Sequence, residues 1–425
     1  MSTALVKNRR KLLKVTLASL SGTMLEFYDH FIYGTAAAIV FPTVFFSDLD
    51  PHLALVLSLI IYGVAFVSRP LGALIFGHYG DIVGRKKILV MVLLLMGAAT
   101  FLIGCLPSYQ TAGVFGAIAL VCLRTIQGIA LGGEWGGAAL MVNEYTKGSK
   151  HQGLLGSIVQ LASPLGFLLA SGVFAIVTYC STPEQLLSLT WRYPFFASAI
   201  LVILGVYIRG QIDESPEFEK LKTDKDLKSH NPIKEVIRYH WKNLLLAIGT
   251  RIGSDALFYV FALFPLVFLP AIGVDRQIAL NASILASVGQ ACGIPLFGWL
   301  SDRYSTKKVL AGGAVLNFVW LIVFFELLQS KNELAIYFAS YSGLFCLAAL
   351  WAPLATHFPK MFPVEVRFTG AGVGFQAAGI LGGAIAPTIC IFLLTSFANS
   401  PIGVIAYMGA LLALIFVCVV KTKEY

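Results

Sequence analysis

Several charged side chains lie inside long apolar stretches of this chain, where a charge is costly to bury, and five of them stand out. They are Glu26, Asp29, Arg69, Arg124 and Asp255. A charge at the centre of a bilayer costs at least about 2.5–3.5 kcal/mol on insertion scales, so intramembrane charges are candidates for function. At about 1.5 Å of helical rise per residue, all but the first of these fall near the middle of their stretches. The chemistry they suggest is proton exchange at a carboxylate, because burial and a nearby guanidinium act on its proton in opposite directions.

The first stretch and the fourth carry the residues that suit proton coupling. Helical spacing puts Gly22, Glu26, Asp29, His30 and Tyr33 on one face of the first. We expect Asp29 to be the main proton carrier, with Arg124 as its partner and Glu26 or Glu134 tuning it. The alternative is a permanent structural bridge between Asp29 and Arg124. His30 either titrates near neutral pH or hydrogen-bonds a neighbouring helix.

The same region supplies candidate contacts for a substrate. Arg69 offers a planar fork that matches a carboxylate, although it could also be the partner of an acid on a neighbouring helix. Arg251 and Asp255 are spaced i, i+4 and either pair locally or contact the substrate. The candidate substrate contacts are Arg69, Arg124, Tyr28, Tyr33, Gln127, Tyr259, Gln290 and Gln376. For the uncharged residues among them, packing in the protein core is the alternative.

Positioning these residues requires membrane-spanning helices. The chain is 57% hydrophobic and only 12% charged, against about 25% charged in soluble domains. Spans need about 20 mostly apolar residues. Twelve stretches qualify: 16–40, 54–77, 88–106, 113–142, 153–178, 193–210, 243–269, 278–300, 309–328, 334–357, 370–395 and 402–420. In the fourth, Gly128, Gly132 and Gly136 form a small-residue stripe that favours close helix packing.

A repeated charged turn divides the chain into two halves. Gly77 to Lys87 reads GHYGDIVGRKK, and Gly298 to Lys308, 221 positions later, reads GWLSDRYSTKK. We therefore predict an all-α integral membrane protein with twelve helices in two pseudo-symmetric bundles. The bundles are residues 1–210 and 243–425, joined by a polar cytoplasmic linker at 211–242. In such parallel repeats the substrate binds near the midplane between halves that rock against each other.

Charge distribution predicts the orientation and excludes several functions. The net charge is +9, but 25 of the 31 Lys and Arg residues fall in segments that are cytoplasmic if the N-terminus is inside. This positive-inside asymmetry puts both termini in the cytoplasm and argues against nucleic-acid binding. The seven cysteines show no metal-binding spacing. Without a nucleotide-binding loop or a catalytic cluster, we expect neither an enzyme nor an ATP-driven pump, and no cofactor. A channel would not need paired repeats with buried central charges.

Several motifs resemble the major facilitator superfamily and, within it, the metabolite:proton symporter family. The Gly77–Lys87 turn is similar to the superfamily's signature loop between helices two and three. The family pattern continues in further strings: Glu26-Phe-Tyr-Asp29, Arg69-Pro-Leu-Gly72, Arg124-Thr-Ile-Gln127-Gly128, Gly132-Gly-Glu134-Trp-Gly-Gly137, Glu214-Ser-Pro-Glu217-Phe218 and Arg367-Phe-Thr-Gly370. The string Gly370-Ala-Gly-Val-Gly374-Phe-Gln376 is most similar to the shikimate permease branch.

The resemblance implies a gate on the cytoplasmic side. Asp81 is expected to face the N-terminus of the eleventh helix, and Arg85 to pair with Glu144, which together would hold that side shut. Asp302 occupies the corresponding place in the second copy. There Ser305-Thr306 replaces the glycine–arginine pair of the first copy, so the first copy should hold the stronger contacts.

The resemblance and the buried charges together predict a function. We expect proton-coupled symport of a small organic acid, shikimate-like or another carboxylate, across a bacterial inner membrane by a multi-pass monomer. The proton gradient would be its energy source. A zwitterionic osmolyte such as proline or betaine is the alternative substrate, because the buried acids suit a cationic group. A facilitator or antiporter of the same fold is the alternative mechanism.

Overall fold

A computed structural model describes residues 3–221, 231–397 and 400–423, and the side chains among these except those of 3–11, 216 and 221. Residues 222–230 of the predicted linker therefore lie outside the described part. Twelve long helices follow the twelve predicted stretches. They are α1 (Thr3–Ile39), α2 (Pro51–Val83), α3 (Arg85–Cys105), α4 (Val114–Thr146), α5 (Gln152–Tyr179), α6 (Thr190–Gly210), α7 (Trp241–Leu263), α8 (Arg276–Tyr304), α9 (Thr306–Gln329), α10 (Glu333–Lys360), α11 (Val364–Ser396) and α12 (Ile402–Lys421).

Helices α2 to α12 are long and apolar enough to cross a membrane by length and composition. Helix α1 has the length but not the hydropathy, because its second half carries Glu26, Asp29 and His30. The helix least able to lie against lipid is therefore the one richest in candidate functional groups.

Four of the spans are interrupted rather than straight. Helix α5 turns at Leu161, and α10 turns just before Leu354. Helix α7 loosens into a π-helical turn at Tyr259–Leu263 before Pro265, and α11 does so at Ile380–Ile385 before Pro387. A proline cannot donate the backbone hydrogen bond of a continuing helix, which accounts for a break beside it.

Small residues let helices approach within each half. A side chain at Gly128 of α4 would collide with Ala65 and Ser68 of α2, and one at Gly132 with the carbonyl oxygen of Arg69. Gly289 of α8 lies in the same way against the backbone of α10. The predicted small-residue stripe is thus confirmed. The close packing of α2 against α4 fixes the position of Arg69 along α2 relative to the residues of α4.

The two halves meet along α2 with α11 and along α5 with α8. A Cβ at Gly77 would lie 2.8 Å from the Cα of Thr369, and one at Gly153 would lie 2.7 Å from the carbonyl oxygen of Gly298. Both contacts are at the end of the bundle from which the linker leaves, which we call the linker end. Shorter helices lie between the spans: Phe41–Phe45, Tyr109–Ala112, Pro183–Ser188, Pro216–Leu221 and Pro232–Tyr239.

Candidate functional site

Two arginines of the first half converge on one imidazole in the interior. The Nη2 atoms of Arg69 and Arg124 lie 3.2 Å and 3.4 Å from Nδ1 of His30. The hydroxyl of Tyr62 lies 2.6 Å from Nε2 of the same ring. Because a guanidinium only donates, Nδ1 must accept, so the proton of the neutral ring is on Nε2 and is donated to Tyr62. His30 thus hydrogen-bonds a neighbouring helix, which is one of the two readings that the sequence left open.

Neither guanidinium group has an anionic partner, although Arg124 is fully buried and Arg69 is partly buried. Arg124 stacks on aromatic rings, 4.0 Å from the centroid of Tyr33 and 5.0 Å from that of Tyr62. Arg69 lies 4.6 Å from the centroid of Phe66, and its Nε atom is buried with no hydrogen-bond partner. Among the described residues, no carboxylate oxygen lies within 4.0 Å of either guanidinium. A buried charge ordinarily needs such a partner, so these two cations form a site suited to an anion.

Asp29 is held by hydroxyl groups. It is 2% exposed, and its two carboxylate oxygens accept from Thr100 Oγ1 at 2.8 Å and Ser198 Oγ at 2.7 Å. Arg124 reaches it only indirectly, because its Nη1 donates to Gln127 at 3.2 Å and Gln127 donates to Thr100 at 2.7 Å. The direct Asp29–Arg124 pair that we expected is therefore replaced by a relay of two side chains.

The hydroxyl groups around Asp29 suit a carboxyl group that gains and loses a proton. Thr100 Oγ1 lies within hydrogen-bond distance of both Asp29 and the carbonyl oxygen of Met96, at 2.8 Å and 3.0 Å. A hydroxyl has one proton and two lone pairs. When Asp29 is ionised the proton can point to it, and when Asp29 is protonated Thr100 can accept instead and donate to Met96. Either state of Asp29 leaves the group hydrogen-bonded.

The other acids of the first half are placed differently. Glu134 is held by Arg209 of α6, which donates to both of its carboxylate oxygens, one at 2.9 Å, and to the carbonyl oxygen of Leu89 at 2.7 Å. The guanidinium occupies the space left by Gly22, where any side chain would overlap it. Glu26 is 4% exposed, and its Oε2 atom has no hydrogen-bond partner.

Arg209 is a functional-site residue that was not predicted from the sequence, where it is one of the many Lys and Arg residues near the ends of spans. It is 1% exposed and buried against α1, α3 and α4. Its position in the last turn of an apolar helix gave no signal. The role of Glu134 in proton coupling stays a prediction, and its two-pronged ion pair with Arg209 forms a clamp between α4 and α6.

In the second half, Arg251 and Asp255 pair locally at 3.0 Å. Arg251 also donates to the carbonyl oxygen of Phe375 and lies 3.3 Å from the centroid of that ring. The Oδ2 atom of Asp255 has no partner. A Cβ at Gly383 of α11 would lie 3.5 Å from the ring of Phe66, on which Arg69 stacks. The charged groups of the two halves therefore face each other across the π-helical turn of α11.

The remaining predicted substrate contacts do not all reach this region. Tyr28 donates to the carbonyl oxygen of Pro194 at 2.8 Å and serves helix packing. Gln376 donates to the carbonyl oxygen of Leu131 at 3.2 Å and so joins the halves. Tyr259 lies on the π-helical turn of α7. Both side-chain polar atoms of Gln290 are buried without partners.

An aromatic stack that the sequence did not reveal joins the halves on the linker side of these charges. The rings of Trp135 and Phe375 lie 3.3 Å apart between centroids and are nearly parallel at 11°. The indole of Trp135 donates to Gln160 at 2.7 Å, and Gln160 donates to the carbonyl oxygen of Trp351 at 2.8 Å. Isolated aromatic residues in apolar spans gave no indication of this pairing.

Two carboxylates at the linker end each cap a helix of the opposite half. Asp81 accepts from the backbone N–H groups of Phe368 and Thr369 at 3.1 Å and 2.9 Å, and from the hydroxyl of Thr369 at 2.9 Å. We call this the first latch. In the second latch, Asp302 accepts from the N–H groups of Gly153 and Leu154 at 2.5 Å and 2.9 Å. Both place an anion at the positive end of a helix dipole.

The first latch has further support, as expected from the sequence of its loop. Arg85 donates to Glu144 at 3.4 Å and to the carbonyl oxygen of Val364 at 3.3 Å. Glu214 accepts from the backbone N–H groups of Arg85 and Lys86, each at 3.2 Å, which caps α3. Asp81 and the Arg85–Glu144 pair thus lie where the resemblance implied, while their role in gating stays a prediction.

Glu217 ties the linker to both halves at this end. It accepts from Lys147 of the first half and from Nη1 of Arg367 of the second, the latter at 2.6 Å. Partial burial acts to raise the pKa of Glu217. The hydrogen bonds and charges of Lys147 and Arg367 outweigh that effect, and they hold the pKa below its ordinary value.

The two loops share an unusual backbone conformation. Gly84 has φ 122° and ψ 149°, and Ser305, at the same place in the repeat, has φ 119° and ψ 150°. This region is essentially confined to glycine, so the serine stores strain of about 1–3 kcal/mol. Its hydroxyl returns part of that cost by accepting from the N–H of Lys308 at 3.3 Å.

Comparison with known proteins identifies the family. The model described as Sugar (and other) transporter matches residues 14–243, and that of the Major Facilitator Superfamily matches 256–424. The chain belongs to the major facilitator superfamily. It is 38% identical to the inner membrane metabolite transport protein YhjE of Escherichia coli K12, over 97% of this chain and 94% of that one. It is 34% identical to the shikimate transporter of the same organism, over 97% and 95%.

Solved structures support the fold. The proton:xylose symporter XylE bound to 6-bromo-6-deoxy-D-glucose superposes with a TM-score of 0.75 at 16% identity, over 98% of this chain and 97% of that one. The predicted family resemblance and the twelve-helix fold are confirmed. The protein is a multi-pass membrane transporter and not an enzyme.

Proposed function

We propose that this transporter is a proton-coupled symporter that carries a small organic acid into the cytoplasm of a bacterium by alternating access. The observation that carries the proposal is the convergence of Arg69, which is partly buried, and Arg124, which is fully buried, as two guanidinium groups without a carboxylate partner. His30 occupies the place between them as a neutral acceptor. The carboxylate of a substrate is a stronger acceptor for a guanidinium and displaces the imidazole.

Coupling to a proton follows from the charges around this site. With Asp29 and Glu26 ionised, the two free arginines are balanced by two acids. Protonation of Asp29 removes one negative charge and leaves the site with an excess positive charge, so an anion binds more tightly. By linkage, the bound anion raises the affinity of Asp29 for its proton to the same extent. A shikimate-like monocarboxylate carries the single negative charge that balances this excess positive charge. Its hydroxyl groups would contact the amide of Gln290 and the hydroxyl of Tyr33, which have no hydrogen-bond partners.

The orientation belongs to the same proposal. The linker end carries Lys86, Lys87, Lys307 and Lys308, and the positive-inside rule places such an end in the cytoplasm. Both latches would then close the cytoplasmic side, and the substrate would enter from the opposite side. The location would be the inner membrane.

The test is uptake by purified protein in liposomes with an imposed pH gradient. Radiolabelled shikimate should accumulate when the outside is acidic and should not accumulate with proton-permeable membranes. Arg69→Gln and Arg124→Gln should each weaken substrate binding by about 10- to 100-fold, since a charge-assisted hydrogen bond contributes about 1.5–3 kcal/mol. The matched control is Arg238→Gln, which removes an exposed cation stacked on Tyr239. Equal binding by all three variants would refute the anion site.

A second variant separates coupling from binding. Asp29→Asn keeps the hydrogen bonds of the carboxyl group but holds no exchangeable charge. Proton-driven uptake should fail, whereas counterflow exchange of substrate across the membrane should continue. If gradient-driven uptake by this variant equals that of the unmodified protein, Asp29 is not the carrier, and if neither protein responds to the gradient, the protein is a facilitator.

A zwitterionic substrate is the alternative that one observation favours. Oε2 of Glu26 and Oδ2 of Asp255 are buried acceptors without partners, and a quaternary or secondary ammonium group would suit them. Thermal-shift measurements that compare shikimate and related acids with betaine and proline distinguish the two classes. Stabilisation by betaine but not by any acid would reverse the substrate assignment.

A further inference from the structure

An open groove of about 530 Å³ lies on the outside of the second half, between α7, α11 and α12. Its walls are apolar except at one end. Its lining includes Trp241, Lys242, Leu245 and Ile252 of α7, and Leu414 and Lys421 of α12. Two of the lining residues are basic and none is acidic.

The two lysines lie at the same end of the groove. Lys242 is in the first turn of α7 and Lys421 is the last residue of the antiparallel α12. From Lys242 the lining continues to Ile252, ten residues further along α7, which is about 15 Å of helix. That is half of the roughly 30 Å thickness of a bilayer's hydrocarbon core. The groove therefore has the length of one leaflet, with its positive charge at the level of the head groups.

Other features at this end reinforce the match to a lipid. Trp241 is exposed beside Lys242, and indole rings are enriched at the membrane interface. Lys307 donates to the carbonyl oxygen of Thr422, the residue after Lys421, and brings a third cation close. The depth of the groove depends on Gly249, because any side chain there would collide with the sulfur of Cys418.

A second groove offers an internal comparison. It lies between α9 and α12, has a volume of about 400 Å³, and is lined only by uncharged residues, among them Val315 and Phe416. Acyl chains of the bulk membrane suffice to cover such a surface. The lysines distinguish the first groove, since a basic pocket between membrane helices attracts anionic head groups.

We propose that the groove between α7, α11 and α12 is a binding site for one anionic phospholipid, with its head group on Lys242 and Lys421 and an acyl chain along Leu245 to Ile252. The site abuts the π-helical turn of α11 through Leu381 and the helix of Arg251 through Ile252. It is distinct from the transport site and does not depend on the proposed substrate.

Native mass spectrometry of the purified full chain tests this site with two lipids of identical acyl chains. Dioleoyl-phosphatidylglycerol should bind about 25-fold more tightly than dioleoyl-phosphatidylcholine, at about 5-fold for each lysine near a head group. Replacing both lysines, by Lys242→Gln and Lys421→Gln, should remove that preference. The control Lys234→Gln, which neutralises an exposed lysine outside the groove, should retain it.

A second pair of variants tests the acyl-chain part of the site. Leu414 is 42% exposed and Val315 is 55% exposed, so each can be enlarged toward the lipid without a clash inside the protein. Leu414→Trp fills the first groove and should weaken the tight phosphatidylglycerol site, whereas Val315→Trp fills the second and should not. The proposal is overturned if the two lipids bind equally well, if the lysine variant keeps the preference, or if Leu414→Trp binds as the unmodified protein does. Thermal melting of each variant verifies that it is folded.

Discussion

Neutralising Asp81 should open the linker end of the transporter. Its carboxylate accepts two backbone N–H groups and one hydroxyl of α11, at 2.9–3.1 Å. Asparagine keeps one acceptor oxygen but turns an amide donor toward a helix N-terminus that only donates. Asp81→Asn therefore loses at least one charge-assisted hydrogen bond, at about 1.5–3 kcal/mol each, and the favourable interaction with the helix dipole, at about 0.5–1 kcal/mol. The total of about 2–4 kcal/mol shifts the closed-to-open ratio by about 30- to 900-fold.

A thiol placed behind the latch measures this shift. Ala73 of α2 is 1% exposed, and a Cβ at Gly372 of α11 would leave 3.8 Å to its side chain, so Ala73→Cys fits in the closed state. The rate of its reaction with N-ethylmaleimide, read from the labelled peptide by mass spectrometry, follows the open fraction. It should rise at least 30-fold with Asp81→Asn as long as the closed state still predominates. Asp48→Asn, an exposed acid that precedes α2 at the other end, is the control.

Two outcomes would contradict this reasoning. A labelling rate within about twofold of the parent would mean that the carboxylate does not hold the halves together. An equal rise with the Asp48 control would mean that the label reports general loosening of the protein. Transport should fall with Asp81→Asn while the amount inserted in the membrane stays the same.

Three further changes test other parts of the structure. Ser305→Gly should stabilise the purified protein by about 1 kcal/mol or more, because it relieves a backbone strain of about 1–3 kcal/mol and a glycine costs only a few tenths of a kcal/mol at the helix cap. The reverse change in the first loop, Gly84→Ser, should lower the melting temperature. Equal melting temperatures of the two variants would show that the loops are not strained. Arg209→Ala should destabilise the protein by about 3–5 kcal/mol, since it leaves the buried carboxylate of Glu134 unpaired. The yield and monodispersity of the purified protein should recover when Glu134 is changed to Gln in the same chain. Absence of that recovery would refute the clamp. The pKa of Glu217 is lowered in the closed state, so its contribution to closure is fully present above the ordinary value of 4.5 and is lost as pH falls through the lowered value. The labelling rates of the Ala73→Cys reporter in the parent and in Glu217→Gln should therefore differ at pH 7 and become equal on acidification. A difference between the two rates that does not shrink would exclude this titration.

The sequence was sufficient for the fold because the bilayer leaves few options. Continuous apolar runs of about 20 residues must be helices, and loops such as Gly77–Lys87 repeat with their glycine and aspartate in place. The same logic located the intramembrane charges, because each is too costly to be accidental. The first latch was implied by the family resemblance, and its contacts to Phe368 and Thr369 agree with it.

The pairing of those charges could not be read in the same way. Asp29 was expected to meet Arg124, but two hydroxyl groups from α3 and α6 were closer. Serine and threonine are common in spans, so Thr100 and Ser198 carried no signal. Arg209 was hidden for a related reason: a cation in the last turn of a helix is normally an interfacial anchor. In the structure Arg209 instead points inward, against α1, α3 and α4.

The cross-over between the latches has a mechanical consequence. In each latch, the carboxylate of a loop in one half binds the N-terminus of a helix in the other half. The two latches are therefore related by exchange of the halves. When one half tilts against the other, both latches are expected to lengthen by similar amounts. If the two halves move as rigid bodies, we expect both latches to open together, so that weakening one of them also loosens the other.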